Sequence, residues 1–251
     1  MRTLKIVLSY DGFEFHGWQV QPGLNTIQGT LAACLERVTG EKVLPQGSGR
    51  TDAGVHALGQ VASCSIASPI PAANVAKALN NILPAAIRVL EVEDAPPDFH
   101  ARGSAVAKTY RYRIFRGEIC PPFLARYVYH YPYPLNVDEM FVASDRVIGN
   151  YDFTSFASVD PERGGEDGPP NNMRTIFSSA WHARDDELVY TVRGNGFLHH
   201  MVRNLVGTFL LVGKGTLKSE DVTRILRARS RPAAGPTAPA HGLYLVKVEY
   251  K

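Results

Sequence analysis

The chain has 251 residues, enough for one large domain or two small ones, and 45% of them are apolar. With 27 basic against 24 acidic residues the net charge is only +3, so the total alone makes a weak case for a nucleic-acid partner. No apolar run approaches the roughly 20 residues of a membrane helix, and Cys34, Cys64 and Cys120 have neither metal-binding spacing nor the even number of a closed disulfide framework. The opening Met1-Arg2-Thr3-Leu4-Lys5 runs directly into a strand-like pattern without a signal-peptide core, so a reducing cytoplasm is the expected setting.

Residues 4–10 read as a first strand, with Leu4, Ile6 and Leu8 on one face. Asn25 or Thr26 can cap a helix whose apolar stripe is Ile27, Leu31, Cys34, Leu35 and Val38, and Gly40 ends it. A short strand around Val43 and a glycine-rich loop precede a strand that starts at Ala57. Pro71 opens a second helix with Val75, Ala78 and Leu79 inward, and Pro84 separates it from a strand over 87–92. This β-α-β-β-α-β order is that of a ferredoxin-like sandwich with its helices on one face.

Ala95-Pro96-Pro97-Asp98 marks the expected boundary between halves 1–98 and 99–251. The second half opens with a basic, aromatic strand over 105–115, followed by a tyrosine-rich connection punctuated by prolines. Asn136 with Glu139 makes a capping box for a helix carrying Met140, Phe141 and Val147. Residues 160–172 read as a mobile loop, and 175–183 with 188–192 as a hairpin turning at Asp185-Asp186-Glu187. A strong helix is expected from Phe197 through Leu210, another over 219–229, a loop over 231–239 and a closing strand over 243–248. The grammar of the first half thus recurs, which predicts an α+β protein of two ferredoxin-like (RRM-like) halves sharing one extended sheet or two adjoining ones.

Three segments carry chemistry. In Gly47-Ser48-Gly49-Arg50-Thr51-Asp52-Ala53-Gly54-Val55-His56, glycines allow tight turns and close approach of a ligand. Arg50 can grip a phosphate or carboxylate. Asp52 can attack carbon, accept a proton, or cap a turn. His56 can orient the turn and is counted among the substrate contacts. The loop lacks the terminal Gly-Lys-Ser/Thr of a P-loop and the dinucleotide fingerprint. In the second segment, Lys108, Tyr110 and Tyr112 share one strand face, and Thr109, Arg111 and Arg113 the other. An aromatic here can stack on a base or pack a sheet. In the third, Phe197 to Asn204, the adjacent histidines point apart on a helix and lack the i,i+4 spacing of zinc ligands, so no metal is expected. Arg203 lies off the apolar stripe, with Gly207 one turn on leaving room for a close contact; it can keep a buried carboxylate ionised or be a surface arginine. Two basic groups, Arg102, Lys108, Arg111, Arg113 and Arg116, then Arg224, Arg227, Arg229 and Arg231, can bind phosphates or simply be solvated.

Together with Tyr10-Asp11-Gly12 through Trp18-Gln19 and Phe99-His100-Ala101-Arg102, these segments strongly resemble the bacterial tRNA pseudouridine synthase A family over nearly the full length. The chain departs from that pattern at Gly196, where the family usually carries alanine, which bears on local geometry rather than on activity. The resemblance implies a pseudouridine synthase fold with a mixed or antiparallel central sheet. It implies conversion of uridine to pseudouridine at positions 38, 39 and 40 of the tRNA anticodon stem-loop, without a cofactor. It also implies a homodimer whose clefts are lined by both subunits, contacting the stem-loop and the tRNA body, with no membrane role. On that resemblance Asp52 is the nucleophile, Tyr110 stacks on the base and is a candidate proton shuttle, and Arg203 pairs with the aspartate. Arg50 helps flip or hold the nucleotide. From the two basic groups, Arg102, Lys108, Arg111, Arg224, Arg227 and Arg229 are the candidate phosphate grips. Two competing classes are an RNA-binding module without catalysis, which a tritium-release assay excludes or supports, and a metal-dependent hydrolase, which chelation tests.

Overall fold

The computed structural model describes residues 1–159 and 171–251; positions 160–170 of the loop expected over 160–172 lie outside the described residues. In chain order the elements are β1 (Arg2–Tyr10), α1 (Ile27–Thr39), β2 (Gln46–Gly47), β3 (His56–Ile66), α2 (Ala72–Ile82), β4 (Ile87–Ala95), β5 (Ala105–Phe115), β6 (Tyr129–His130), α3 (Val137–Asp145), β7 (Gly149–Asp152), β8 (Met173–Arg184), β9 (Glu187–Gly194), α4 (Met201–Gly213), α5 (Asp221–Ala228) and β10 (Leu243–Tyr250).

The chain divides into two compact units, Met1–Lys108 with Tyr244–Lys251, and Thr109–Leu243. The sequence-based boundary at 98/99 therefore differs from the observed one, and the last strand joins the first unit. The reason is local. Ala95-Pro96-Pro97 is a turn closed by Phe99 N–H on the Pro96 carbonyl (2.9 Å), not a linker. Beyond it, Ser63 Oγ accepts from Ala101 N (3.0 Å) and Tyr250 Oη donates to the Ala101 carbonyl (2.8 Å), tying this stretch to β3 and β10.

In the first unit β1 pairs antiparallel with both β4 and β3. The outer edge of β3 is shared: β2 takes Ala62 and Ser63, and β10 runs parallel beside His56 and Ala57. This is ferredoxin-like order with the second strand reduced to a stub. The strand expected around Val43 does not form; pairing begins only at Gln46, after Pro45, which has no N–H to donate. Leu4, Ile6 and Leu8 of β1 and Ile27, Leu31 and Leu35 of α1 are fully buried. Thr26 Oγ1 caps α1 by accepting from Gly29 N (3.3 Å), and Gly40 closes it at φ 76°.

In the second unit the strands run in the order β5-β9-β8-β7, with β6 parallel to β5. The α+β class stands, and the pairing is mixed rather than wholly antiparallel. Trp181, Tyr190 and Phe209 form a buried aromatic cluster between the β8–β9 hairpin and α4, with ring centroids 4.9–6.2 Å apart. Asn136 Oδ1 caps α3 by accepting from Glu139 N (3.2 Å). The helix expected from Phe197 starts only at Met201, because His200 stands in the left-handed region at φ 59°. Histidine is among the residues that tolerate this conformation, and such a residue breaks helical periodicity at that point. The helix expected over 219–229 is likewise trimmed, ending before Arg229 at φ 46°.

Candidate active site

The glycine-rich loop is braced on both sides within the first unit. Trp18 N–H donates to the Thr51 carbonyl (3.0 Å) and Gly54 N–H to the Phe15 carbonyl (3.2 Å). Val55 N–H closes a turn on the Asp52 carbonyl (3.1 Å), with Gly54 at φ 78° in the third position, as a type II turn requires. A Cβ on Gly12 would collide with the Val55 carbonyl, so only glycine admits this close approach. Burial alternates along the loop: Ser48 and Thr51 are buried, Arg50 is exposed and Asp52 is half-buried. A carboxylate on a tightly held turn, with an exposed guanidinium two residues before it, suits work on an anionic ligand.

The structure assigns several sequence-predicted residues to specific tasks. His56, expected among the substrate contacts, is only 1% exposed. Its ring stacks on Tyr244 at 4.9 Å, and its Nδ1 faces both Gly12 N–H and Asp11 Oδ1 at 3.1 Å. Its position makes it a brace of the loop rather than a surface open to RNA. Lys108 Nζ donates to the Ser48 carbonyl at 2.5 Å, placing a cation at the foot of the same loop. Arg102 is exposed on the turn after β4.

In the second unit Tyr110 is nearly buried, with its ring edge-on to Phe197 at 4.9 Å. Arg203, on the first turn of α4, donates from Nε to the Ala238 carbonyl (2.7 Å) while its own carbonyl accepts from Ala238 N (3.1 Å). Tyr112, fully buried, donates to the neighbouring Pro239 carbonyl (2.8 Å). Burial raises its phenol well above the ordinary range, against the opposing pull of the Arg203 charge. His241 is lowered by burial and then by the same arginine. The Arg203 head thus sits where a segment returning from α5 crosses α4, and its positive charge reaches both neighbours.

The adjacent histidines do not point apart. Lying before the helix rather than on it, His199 and His200 bring their rings to 3.8 Å. Several cations of the two basic groups meet acids in space. Arg113 is held by both Glu187 oxygens (2.8 and 2.5 Å), Arg224 by Asp221 (2.9 Å) and Arg229 by Asp152 (3.2 Å). Arg111 is half-buried, and Arg227 is exposed with no carboxylate partner among the described residues. Burial raises Asp152, but bonds from Thr154 and the charge of Arg229 outweigh it and leave that carboxyl below its ordinary value. Sequence reading passed over Gln60, an amide inside the otherwise mostly apolar β3; that anomaly was its only signal.

The braced aspartate turn belongs to one α+β unit, and the tyrosine strand and the arginine helix belong to the other. The sequence profile described as "tRNA pseudouridine synthase" matches residues 6–102 and 143–251. Proteins named tRNA pseudouridine synthase A are similar over the whole chain. One from Solibacter usitatus is 52% identical over 250 residues, covering 100% of both chains. One from Moorella thermoacetica is 45% identical, and one from Caldicellulosiruptor bescii 42%, each covering 100% of both chains. Among solved structures, a chain of a Cbf5-Nop10-Gar1 complex aligns at a TM-score of 0.34 and 10% identity, over 82% of this chain and 53% of that one, too loosely to bear on the argument. The chain belongs to the tRNA pseudouridine synthase A family. It is an isomerase that converts uridine to pseudouridine in tRNA.

Proposed function

We propose that the targets are uridines 38, 39 and 40 of the anticodon stem-loop and that Asp52 is the nucleophile, acting in a cytoplasmic homodimer. The observation that carries this reading is the half-buried Asp52 on a turn hydrogen-bonded at both flanks. The reaction breaks the N1–C1′ bond, turns the uracil and joins C5 to C1′; the proton lost from C5 is balanced by one gained at N1. The nucleotide's composition is unchanged and only a proton is exchanged, so the protein supplies positioning, charge and proton transfer. Attack on C1′, addition to C6 and removal of the C2′ proton all need an ionised, fixed carboxylate. On the family resemblance, Arg203 is the proposed countercharge for that anion. Tyr110 replaces the stacking that a flipped uridine loses. Arg50 holds the extruded nucleotide, and Arg102, Lys108, Arg111 and Arg227 contribute to the field that gathers phosphates.

Asp52→Asn and Asp52→Ala are expected to abolish turnover and leave most tRNA affinity. The measurement is pseudouridine at each of the three positions under single-turnover conditions with unmodified tRNA. Near-normal formation at all three would remove Asp52 from the chemistry. Mapping the whole tRNA with the parent protein tests the targets, and formation at other positions instead would overturn the anticodon assignment.

A further inference from the structure

We propose that Gln60 is a positioning residue for the reaction, holding the loop that presents Asp52; this rests on the reading of Asp52 as nucleophile. Gln60 is fully buried in the middle of β3, and each of its polar groups is engaged. Its Oε1 accepts from Ser48 Oγ (2.6 Å) and Val61 N (3.1 Å). Its Nε2 donates to the Gly49 carbonyl (2.9 Å) and to Tyr10 Oη (3.4 Å). The Tyr10 hydroxyl in turn shares a hydrogen bond with Thr51 Oγ1 (2.8 Å). One amide therefore fixes, directly or through one hydroxyl, Ser48, Gly49 and Thr51, the inward-held residues of the segment leading to Asp52.

The sheet is shaped to bring these groups together. Leu8 pairs with Gln60 but Tyr10 pairs with Ala57, so β3 carries a bulge opposite the end of β1. Bulges re-aim side chains, often beside active sites. Tyr10 is buried, and burial pushes its phenol up to about 12, so it stays neutral at physiological pH. Lys108 Nζ adds a second clamp on the Ser48 carbonyl. The inward residues 48 and 51 are thus locked while Arg50 is left exposed and Asp52 half-exposed. A network serving stability alone could sit anywhere in the sheet; this one ends on the backbone and side chains next to the nucleophile. Displacing a reacting group by about 1 Å can cost on the order of 100-fold in rate.

The test compares Gln60→Met, which keeps length but makes no hydrogen bonds, with Tyr10→Phe and Gln60→Glu, using full-length protein and unmodified tRNA. Gln60→Met is expected to lower the single-turnover rate at saturating tRNA by roughly 10- to 100-fold, with tRNA Kd within about threefold and a folded circular-dichroism spectrum. Tyr10→Phe added to Gln60→Met is expected to cost little more, because both remove one network. Gln60→Glu is expected to regain rate relative to the parent as pH falls from about 8 to 6, since a protonated carboxyl can again donate to Gly49. An unchanged saturated rate in Gln60→Met, or a loss carried wholly by Kd, overturns the proposal. If Gln60→Met fails to fold, Tyr10→Phe decides: a rate equal to the parent's overturns it. Asp52→Ala is run alongside. Product from Asp52→Ala sinks the nucleophile reading, whereas loss there with an unaffected Gln60→Met sinks only the positioning role.

Discussion

Gly207 offers a sharp test of how α4 holds Arg203. A Cβ at this position would collide with the Pro236 carbonyl, where the segment after α5 crosses the helix. That segment is bound to α4 at several points: Gly235 N–H to Thr208 Oγ1 (2.9 Å), Thr237 Oγ1 to Asn204 Oδ1 (2.7 Å), Ala238 N–H to the Arg203 carbonyl (3.1 Å) and Arg203 Nε to the Ala238 carbonyl (2.7 Å). Gly207→Ala must lift the strap. Losing the neutral Ala238 bond costs about 0.5–1.5 kcal/mol and the charged Arg203 bond about 1.5–3 kcal/mol. The better helix propensity of alanine returns about 1 kcal/mol. The net loss is about 1–3.5 kcal/mol, or a Tm lower by roughly 2–14 °C for a chain of this size. Differential scanning calorimetry measures it, and single-turnover assays should show the rate falling more than tRNA affinity. A Tm within about 1 °C of the parent, together with an unchanged rate, would mean that the strap does not hold the arginine.

Salt titrations of tRNA binding separate the arginines of α5: Arg227→Gln should lower the log–log slope by about 1, while Arg224→Gln and Arg229→Gln, which also release Asp221 and Asp152, should change it less; equal effects at all three would refute that ranking. Tyr110→Ala should weaken tRNA binding by about 1–3 kcal/mol through lost stacking, whereas Tyr110→Phe should bind normally; a full single-turnover rate in the phenylalanine variant would exclude its hydroxyl from proton transfer. Alkaline pH should destabilise the protein through Tyr10: the unfolded phenol ionises near 10 and the folded one near 12, so stability falls as pH rises through that window, by about 2–3 kcal/mol in all. Urea midpoints for Tyr10→Phe should show a shallower alkaline decline than the parent, and parallel curves would contradict the assigned shift.

Much of this architecture is legible in local pattern. The inward row Leu4, Ile6 and Leu8, the stripe from Ile27 to Leu35, the Thr26 and Asn136 caps and the Gly40 terminator all stand where periodicity and capping chemistry put them. Such features depend on residues a few positions apart, and the relevant forces act over the same range. The Asp52 loop was also readable, because a run of glycines with charged residues is rare and its turn chemistry is local. At the start of α4 local reading failed on a single backbone reversal. His200 at φ 59° delays the start of the helix and brings the rings of two histidines expected to diverge to 3.8 Å.

Charge bookkeeping along the chain shows why spacing was not enough for the basic groups. Arg229 meets Asp152, and Arg113 meets Glu187, across sequence separations that no window spans. The same holds for the role of His56, which became a brace only because β10 returns Tyr244 to its side. Composition, periodicity and motif therefore determined the class and the repeated grammar, and singled out the Asp52 loop. Tertiary structure alone decided which cations meet acids, which polar groups are buried, and that a strand glutamine grips the glycine-rich loop. The division follows from physics: secondary structure is selected by neighbours in the chain, whereas burial and ion pairing are selected by neighbours in space.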